Sequence, residues 1–175
     1  IMIFWNTPCM RMVNCRDMTI KNCETGVKLT RYEYSGDNVA DFTRVAFLND
    51  NDYPTNGAFY AFADLEYVGG VIFRGCSFIN GQSDGDYDDQ NLNIENWGYG
   101  IRANRSGFSV RLACDDIFCN SFEESLFRGL GYGVYAFTGT PGGANEQPYP
   151  YEVSKATFEN CLVGIRNASV EGSKI

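Results

Sequence analysis

Carboxylates are the first residues here with chemistry to offer. Asp84, Asp86 and Asp88 stand at alternate positions in D-G-D-Y-D-D-Q-N-L-N-I-E, and Glu95 is the twelfth residue counted from Asp84. That spacing is the spacing of a calcium loop, in which hard oxygen ligands surround Ca²⁺. Two departures stand against it. Asp89 occupies the sixth place, where glycine makes the turn, and Asn91 the eighth, where an apolar residue is usual. A solvated acidic loop and a Ca²⁺ site held by Asp84, Asp86, Asp88 and Glu95 therefore stand side by side as readings.

Adjacent carboxylates stand at Asp88-Asp89 and Asp115-Asp116. The chain has no histidine, so no Ser-His or Cys-His pair can activate a nucleophile. G-x-S-x-G, a P-loop and H-E-x-x-H are also absent. Arg102 and Arg166 each follow Gly-Ile, a placement that belongs to a repeat and needs no catalytic explanation. The seven cysteines are an odd number and show no C-x-x-C spacing. Cys114 and Cys119 are the nearest candidates for a local pair, and free thiols are the expectation for the set.

The elements that must position these residues come from self-similarity. I-K-N-C-E-T-G-V-K-L from Ile20, I-E-N-W-G-Y-G-I-R-A from Ile94, F-R-G-L-G-Y-G-V-Y-A from Phe127 and F-E-N-C-L-V-G-I-R-N from Phe158 align without gaps. Their glycines, Gly26, Gly100, Gly133 and Gly164, lie 74, 33 and 31 residues apart. Gly57 divides the long interval into 31 and 43, and the excess falls in a polar insertion near residues 81–93. Ahead of each motif runs a second apolar alternation at period two, for example Val45-Phe47 and Val71-Phe73, which is the strand signal. Asn or Gly at the corner suits φ > 0, and the glycine before Val or Ile suits a second bend.

One such unit cannot bury its apolar row alone, whereas stacked units can. The expectation is an all-β, right-handed parallel β-helix solenoid of about five coils, a rod of about 24 Å at ~4.8 Å per strand. Three inward ladders are predicted: Ile20, Ile94, Phe127 and Phe158; Val27, Ala58, Ile101, Val134 and Ile165; and Cys23, Trp97, Leu130 and Cys161. Asn22, Asn96 and Asn160 should stack and bond from coil to coil. Trp97 is expected in the core, while Tyr32, Tyr34, Tyr149 and Tyr151 are loop candidates for stacking on sugar. Residues 1–175 read as a single segment, which starts without Met and stops within an apolar alternation, Ser169 to Ile175, so it is expected to be cut from a longer protein. Its open ends should need flanking coils or a partner, leaving the isolated piece prone to aggregation.

V-x-F-x-G-C-x-F-x-N from Val71 to Asn80, with F-E-N-C-L-V-G-I-R-N from Phe158, resembles the right-handed β-helix repeats of the pectin-lyase-like superfamily. That fold hosts lyases, hydrolases, adhesins and phage spikes, so the resemblance speaks to architecture first. It implies export, with an extracellular or bacterial cell-surface location. A non-catalytic spacer or adhesive surface for polysaccharide or cell-surface glycan is the leading expectation, with flanking coils or a secretion partner alongside. A lyase or glycoside hydrolase acting on acidic polysaccharide is the alternative, and a trimeric spike segment the third. Hydrolase members use clustered aspartates with a His-containing motif, and the missing histidine breaks that pattern here.

Charge narrows the partners. With 14 Lys plus Arg against 22 Asp plus Glu, the net charge of −8 repels a nucleic-acid backbone. No apolar run approaches the roughly 20 residues that span a bilayer, so direct membrane insertion by a helix is not expected.

Overall fold

Period-two apolar alternation becomes strand at Val13–Lys21 and Ala40–Asn49. Val13, Cys15, Met18 and Ile20 alternate with polar residues through β2 (Val13–Lys21), and in β4 (Ala40–Asn49) Phe42, Val45 and Phe47 are buried while Asp41, Arg44, Ala46 and Leu48 are half-buried. The computed structural model describes residues 2–4, 13–30, 40–50, 60–81, 97–138, 150–168 and 173–175. Besides these two strands it contains β1 (Met2–Phe4), β3 (Thr25–Thr30), β5 (Ala61–Glu66), β6 (Val71–Arg74), β7 (Ser77–Asn80), β8 (Tyr99–Asn104), β9 (Phe108–Arg111), β10 (Ala113–Cys114) and β11 (Phe122–Glu123). The remaining strands are β12 (Ser125–Arg128), β13 (Tyr132–Phe137), β14 (Glu152–Val153), β15 (Ala156–Glu159) and β16 (Val163–Ala168).

The strands pair in parallel except at one hairpin, β10 with β11. One six-stranded sheet runs β1-β3-β5-β8-β13-β16. The other runs β14-β9-β6-β4-β7-β12-β15, with β2 also on β4. The second sheet folds along a line through β4, whose first half pairs β6 and whose second half pairs β7. Arg44 sits on that line at φ 50°, over Asp17 at 51° and Gly75 at 53°. The result is an all-β parallel solenoid with three walls around one apolar interior.

Register places like side chains over one another. Ile20, Phe47, Phe78, Phe127 and Phe158 form one inward column. Its phenylalanine rings lie parallel at centroid distances of 5.0, 4.6 and 4.9 Å. Phe42 stacks on Phe73 at 5.2 Å, and Phe108 on Tyr151 at 5.1 Å. Each such pair adds ~0.5–1.5 kcal/mol beyond the area it buries. A second column holds Val27, Ala63, Ile101, Val134 and Ile165.

These columns correct two predicted places. Phe78 is the rung expected of Ile94, which lies outside the described residues; β7 ends at Asn80, and the next described strand, β8, begins at Tyr99 in the six-stranded sheet. The repeat unit of this pass is thus split, its F-I-N at 78–80 and its W-G-Y-G-I at 97–101. Ala63 takes the place expected of Ala58, and Phe62 the place expected of Gly57. Positions 57 and 58 lie outside the described residues. The third predicted ladder agrees with the register where it is described, since continuing the β8–β13–β16 pairing sets Trp97, Leu130 and Cys161 in line. Leu130 is buried, and Trp97 is half-buried.

The glycines before Val or Ile do a different job from a bend. None of Gly26, Gly100, Gly133 and Gly164 has a positive φ. A Cβ on Gly100 would lie 2.5 Å from the Gly133 carbonyl oxygen and 2.7 Å from Cδ1 of Phe127. A Cβ on Gly133 would lie 2.6 Å from Cδ1 of Phe158. The missing side chain is what lets the aromatic of the next pass enter the column.

Asparagine does hold the next corner. Asn22 (φ 53°) and Asn160 (φ 50°) are left-handed there. Asn22 bonds to the following pass as expected, but its partner is Asp50: Nδ2 donates to the carboxylate at 2.9 Å, and the Asp50 N–H donates to Oδ1 at 3.1 Å. Continuing the register, Asn49, Asn80 and Gly129 occupy the same corner between them. Asn96 lies outside the described residues.

Candidate functional site

Alternation that turns Val27, Ile101, Val134 and Ile165 inward must turn their neighbours outward. On the six-stranded wall those neighbours are Lys28, Asp64, Arg102, Tyr135 and Arg166, in one outward row. The repeat position after Gly-Ile therefore carries both arginines singled out in the sequence. They stand two strands apart, about 9.6 Å at ordinary sheet spacing, with Tyr135 between them.

Aromatic rings surround this row. Tyr99 and Tyr132 are directly paired in register and stack at 5.4 Å; Tyr132 lies 5.3 Å from Tyr135, which lies 4.8 Å from Phe137. Tyr60 meets Tyr99 edge-on at 5.8 Å. The guanidinium of Arg102 lies over Phe137 at 4.8 Å and Tyr60 at 5.4 Å, and that of Arg166 over Tyr135 at 5.4 Å and Tyr132 at 5.7 Å. Such contacts hold a cation flat against a ring.

The electrostatics of the strip are ordered from one end to the other. Asp64 is buried and accepts from Arg102 at 2.9 Å while Lys28 Nζ stands 3.3 Å away, so one carboxylate is shared by two cations. Arg166 is exposed and donates to the Tyr132 hydroxyl at 2.8 Å, a bond that raises the guanidinium above its ordinary value. Burial raises the Tyr60 phenol, which stays neutral across the physiological range. Arg102 is thus balanced by Asp64, whereas Arg166 has a phenol for a partner and keeps its charge available.

Rings with solvent-facing edges and flat guanidiniums suit a polymer that is apolar on one side and carries carboxylates or hydroxyls on the other. Proton abstraction needs more, namely a base within reach of a substrate proton. Asp115 and Asp116 are not on this strip. They lie in the hairpin excursion and are engaged there: Asp115 accepts from Ser121 Oγ and Arg44, Asp116 from the backbone of Phe118 and Asn120. No cluster of three or more His, Cys, Asp or Glu able to hold a metal occurs among the described residues. Asp84, Asp86, Asp88, Asp89 and Glu95 lie outside the described residues, as do Tyr32, Tyr34 and Tyr149.

Two expectations are overturned. Tyr151 is 2% exposed and stacks on Phe108, because it stands just ahead of β14 in phase with the inward Val153, so it offers no ring to a ligand. Cys114 and Cys119 form a disulfide rather than remaining thiols. Cys119, at φ 54° in the turn between β10 and β11, is folded back towards Cys114 at the end of β10, its N–H donating to the Asp116 carbonyl at 3.1 Å. Cys15, Cys23, Cys76 and Cys161 are thiols rather than disulfides, with Cys76 fully buried. The aromatic strip itself escaped the sequence reading, although its signal was present: Y-G-I-R at 99–102 and Y-G-V-Y at 132–135 place ring and cation at one repeat position.

Fold and strip together define a parallel β-solenoid with an aromatic and basic outer wall. No family model, curated protein or solved structure matches the chain. No helix among the described residues is long and apolar enough to cross a membrane.

Proposed function

We propose that the chain is a right-handed parallel β-helix of about five coils, of the pectin-lyase-like type, and that it acts as a non-catalytic glycan-binding module of a secreted or surface-displayed bacterial protein. The observation that carries this reading is the outward row Arg102, Tyr135, Arg166 with its bordering rings. Sugars present C–H faces to aromatic rings, and uronate carboxylates suit a guanidinium fork. The strip runs unbroken across the adjacent strands β8, β13 and β16, as a linear polysaccharide requires, and no acid-base pair is placed along it among the described residues.

Affinity electrophoresis through gels containing polygalacturonate, alginate or neutral glucan tests the reading. Retardation in at least one gel, reduced about tenfold or more in affinity by Tyr135→Ala with Arg166→Ala, is expected. Unchanged mobility in every gel removes the glycan reading. Time-dependent release of reducing ends or unsaturated products would replace it with the catalytic one.

A further inference from the structure

The bend that Asp17, Arg44 and Gly75 cross in one residue is crossed differently in the next pass. Between Arg111 and Ser125 the chain leaves the wall, forms the β10–β11 hairpin and returns in register, Arg74 opposite Arg111 and Ser77 opposite Leu126. The solenoid needs none of these residues to close its wall. They are nevertheless held in place at four points.

The Cys114–Cys119 disulfide closes the loop. Asp116 Oδ1 accepts from the N–H of Phe118 at 2.7 Å and of Asn120 at 3.3 Å. Desolvation opposes ionisation of Asp116, but these donors outweigh it and hold the carboxyl below the ordinary carboxylate range. Arg44 bridges Asp17 on the wall to Asp115 at the hairpin base, at 3.0 Å for the latter. Gly75 leaves room beneath: a Cβ there would lie 2.7 Å from Cβ of Ala113 and 3.1 Å from Cβ of Glu123.

What this bracing presents is apolar. Ile117 is 93% exposed, Phe118 78% and Phe122 50%. Around them stand Asp115, Asp116, Glu123 and Glu124, with no basic residue between Arg111 and Arg128. Large apolar side chains at a preorganised tip are what a binding anchor requires, since little ordering entropy remains to be lost. The carboxylates choose the partner. An anionic lipid surface is repelled by them, while a protein pocket with a basic rim is attracted.

We propose that residues 112–124 form a docking arm whose Ile117 and Phe118 enter an apolar pocket, rimmed by Lys or Arg, on a partner protein. The arm is separate from the aromatic strip, so either proposal can fail alone. A displayed random-peptide library selected on the full chain, and counter-selected on the Ile117→Ser, Phe118→Ser double variant, tests it. The expected winners combine aromatic or aliphatic residues with flanking Lys or Arg. A synthetic winner should lose at least about thirtyfold in affinity on the double variant, as a hot spot does. It should lose about two- to fivefold on Glu123→Gln with Glu124→Gln. Circular dichroism identical to the unmodified chain confirms that the variants fold. Absence of winners that discriminate the double variant, or winners without basic residues, overturns the proposal. So does Phe118-dependent sedimentation with phosphatidylcholine vesicles, which would make the arm a lipid anchor.

Discussion

Replacing Gly100 by alanine adds one methyl group at the most crowded point of the column. The new Cβ would stand 2.5 Å from the Gly133 carbonyl oxygen and 2.7 and 3.0 Å from two carbons of the Phe127 ring, where ~3.5–4.0 Å is the comfortable distance. Relief by ring movement is blocked, because Phe127 is fully buried and stacked at 4.6 Å on Phe78 and 4.9 Å on Phe158. Relief by backbone movement would strain the β8–β13 ladder. Overpacking of this kind costs about 1–3 kcal/mol, and the upper half is expected here because two separate neighbours must yield. The loss of unfolded-chain freedom returns ~0.4–1 kcal/mol, leaving a net destabilisation near 2 kcal/mol. Gly164 supplies the control at the same repeat position, since the nearest atom to its added Cβ is Cγ of Phe158 at 3.5 Å, an ordinary contact. Gly164→Ala should be neutral or stabilising by up to ~1 kcal/mol. Urea unfolding read by circular dichroism should show a lower midpoint for Gly100→Ala at unchanged slope, with Tm reduced by about 4–8 °C. Equal effects at the two glycines would refute the claim that this repeat position exists to admit a ring.

Other perturbations probe the same framework. Phe127→Ala, which empties the middle of the column, should cost about 3–5 kcal/mol in urea unfolding, against clearly less for Phe127→Leu. Burial pushes the Cys76 thiol up to about 12. Its neutral form is favoured by folding, so the associated stability is complete below the unfolded thiol value and falls as pH rises from about 9 towards 12. Iodoacetamide at pH 8 should accordingly alkylate the half-exposed Cys23 well before Cys76, as peptide mapping would show. Asp17 is held below its ordinary value by the hydrogen bond from Arg44. The stabilisation it brings is present above the unfolded carboxylate value and lost as pH falls through the folded one. Carbon-detected NMR titration of Arg44→Gln should return Asp17 to the ordinary range.

Strand identity and the interior were legible in the sequence because alternation and stacking both follow from covalent geometry and burial. The failures have local causes. I-E-N at 94–96 imitates the rung F-I-N at 78–80, and an alignment sees letters where register sees the strand that continues from Phe47. Phe62 stands where glycine is usual, which leaves Gly57 as the glycine at repeat spacing; the Phe62 ring packs tilted between Phe47 and Phe78 at 6.2 and 6.5 Å. The hairpin was hidden because C-D-D-I-F-C-N-S-F-E-E has no repeat partner, and two cysteines five apart gain a reason to pair only when the turn between the arms folds back on its first strand. The aromatic strip needed the outward row as a whole, which only register assembles.

The arm at 112–124 also bears on how such a chain can change over generations. Arg111 and Ser125 flank the same bend as Arg74 and Cys76 do one pass earlier, yet thirteen residues rather than one separate them, and the strands beyond show no phase error. A turn of this kind can therefore lengthen or shorten without disturbing the packing on either side. New peptide spliced there, or the present tip exchanged for another, should leave the winding intact, so the molecule can acquire a fresh specificity at its rim while its interior stays as it is.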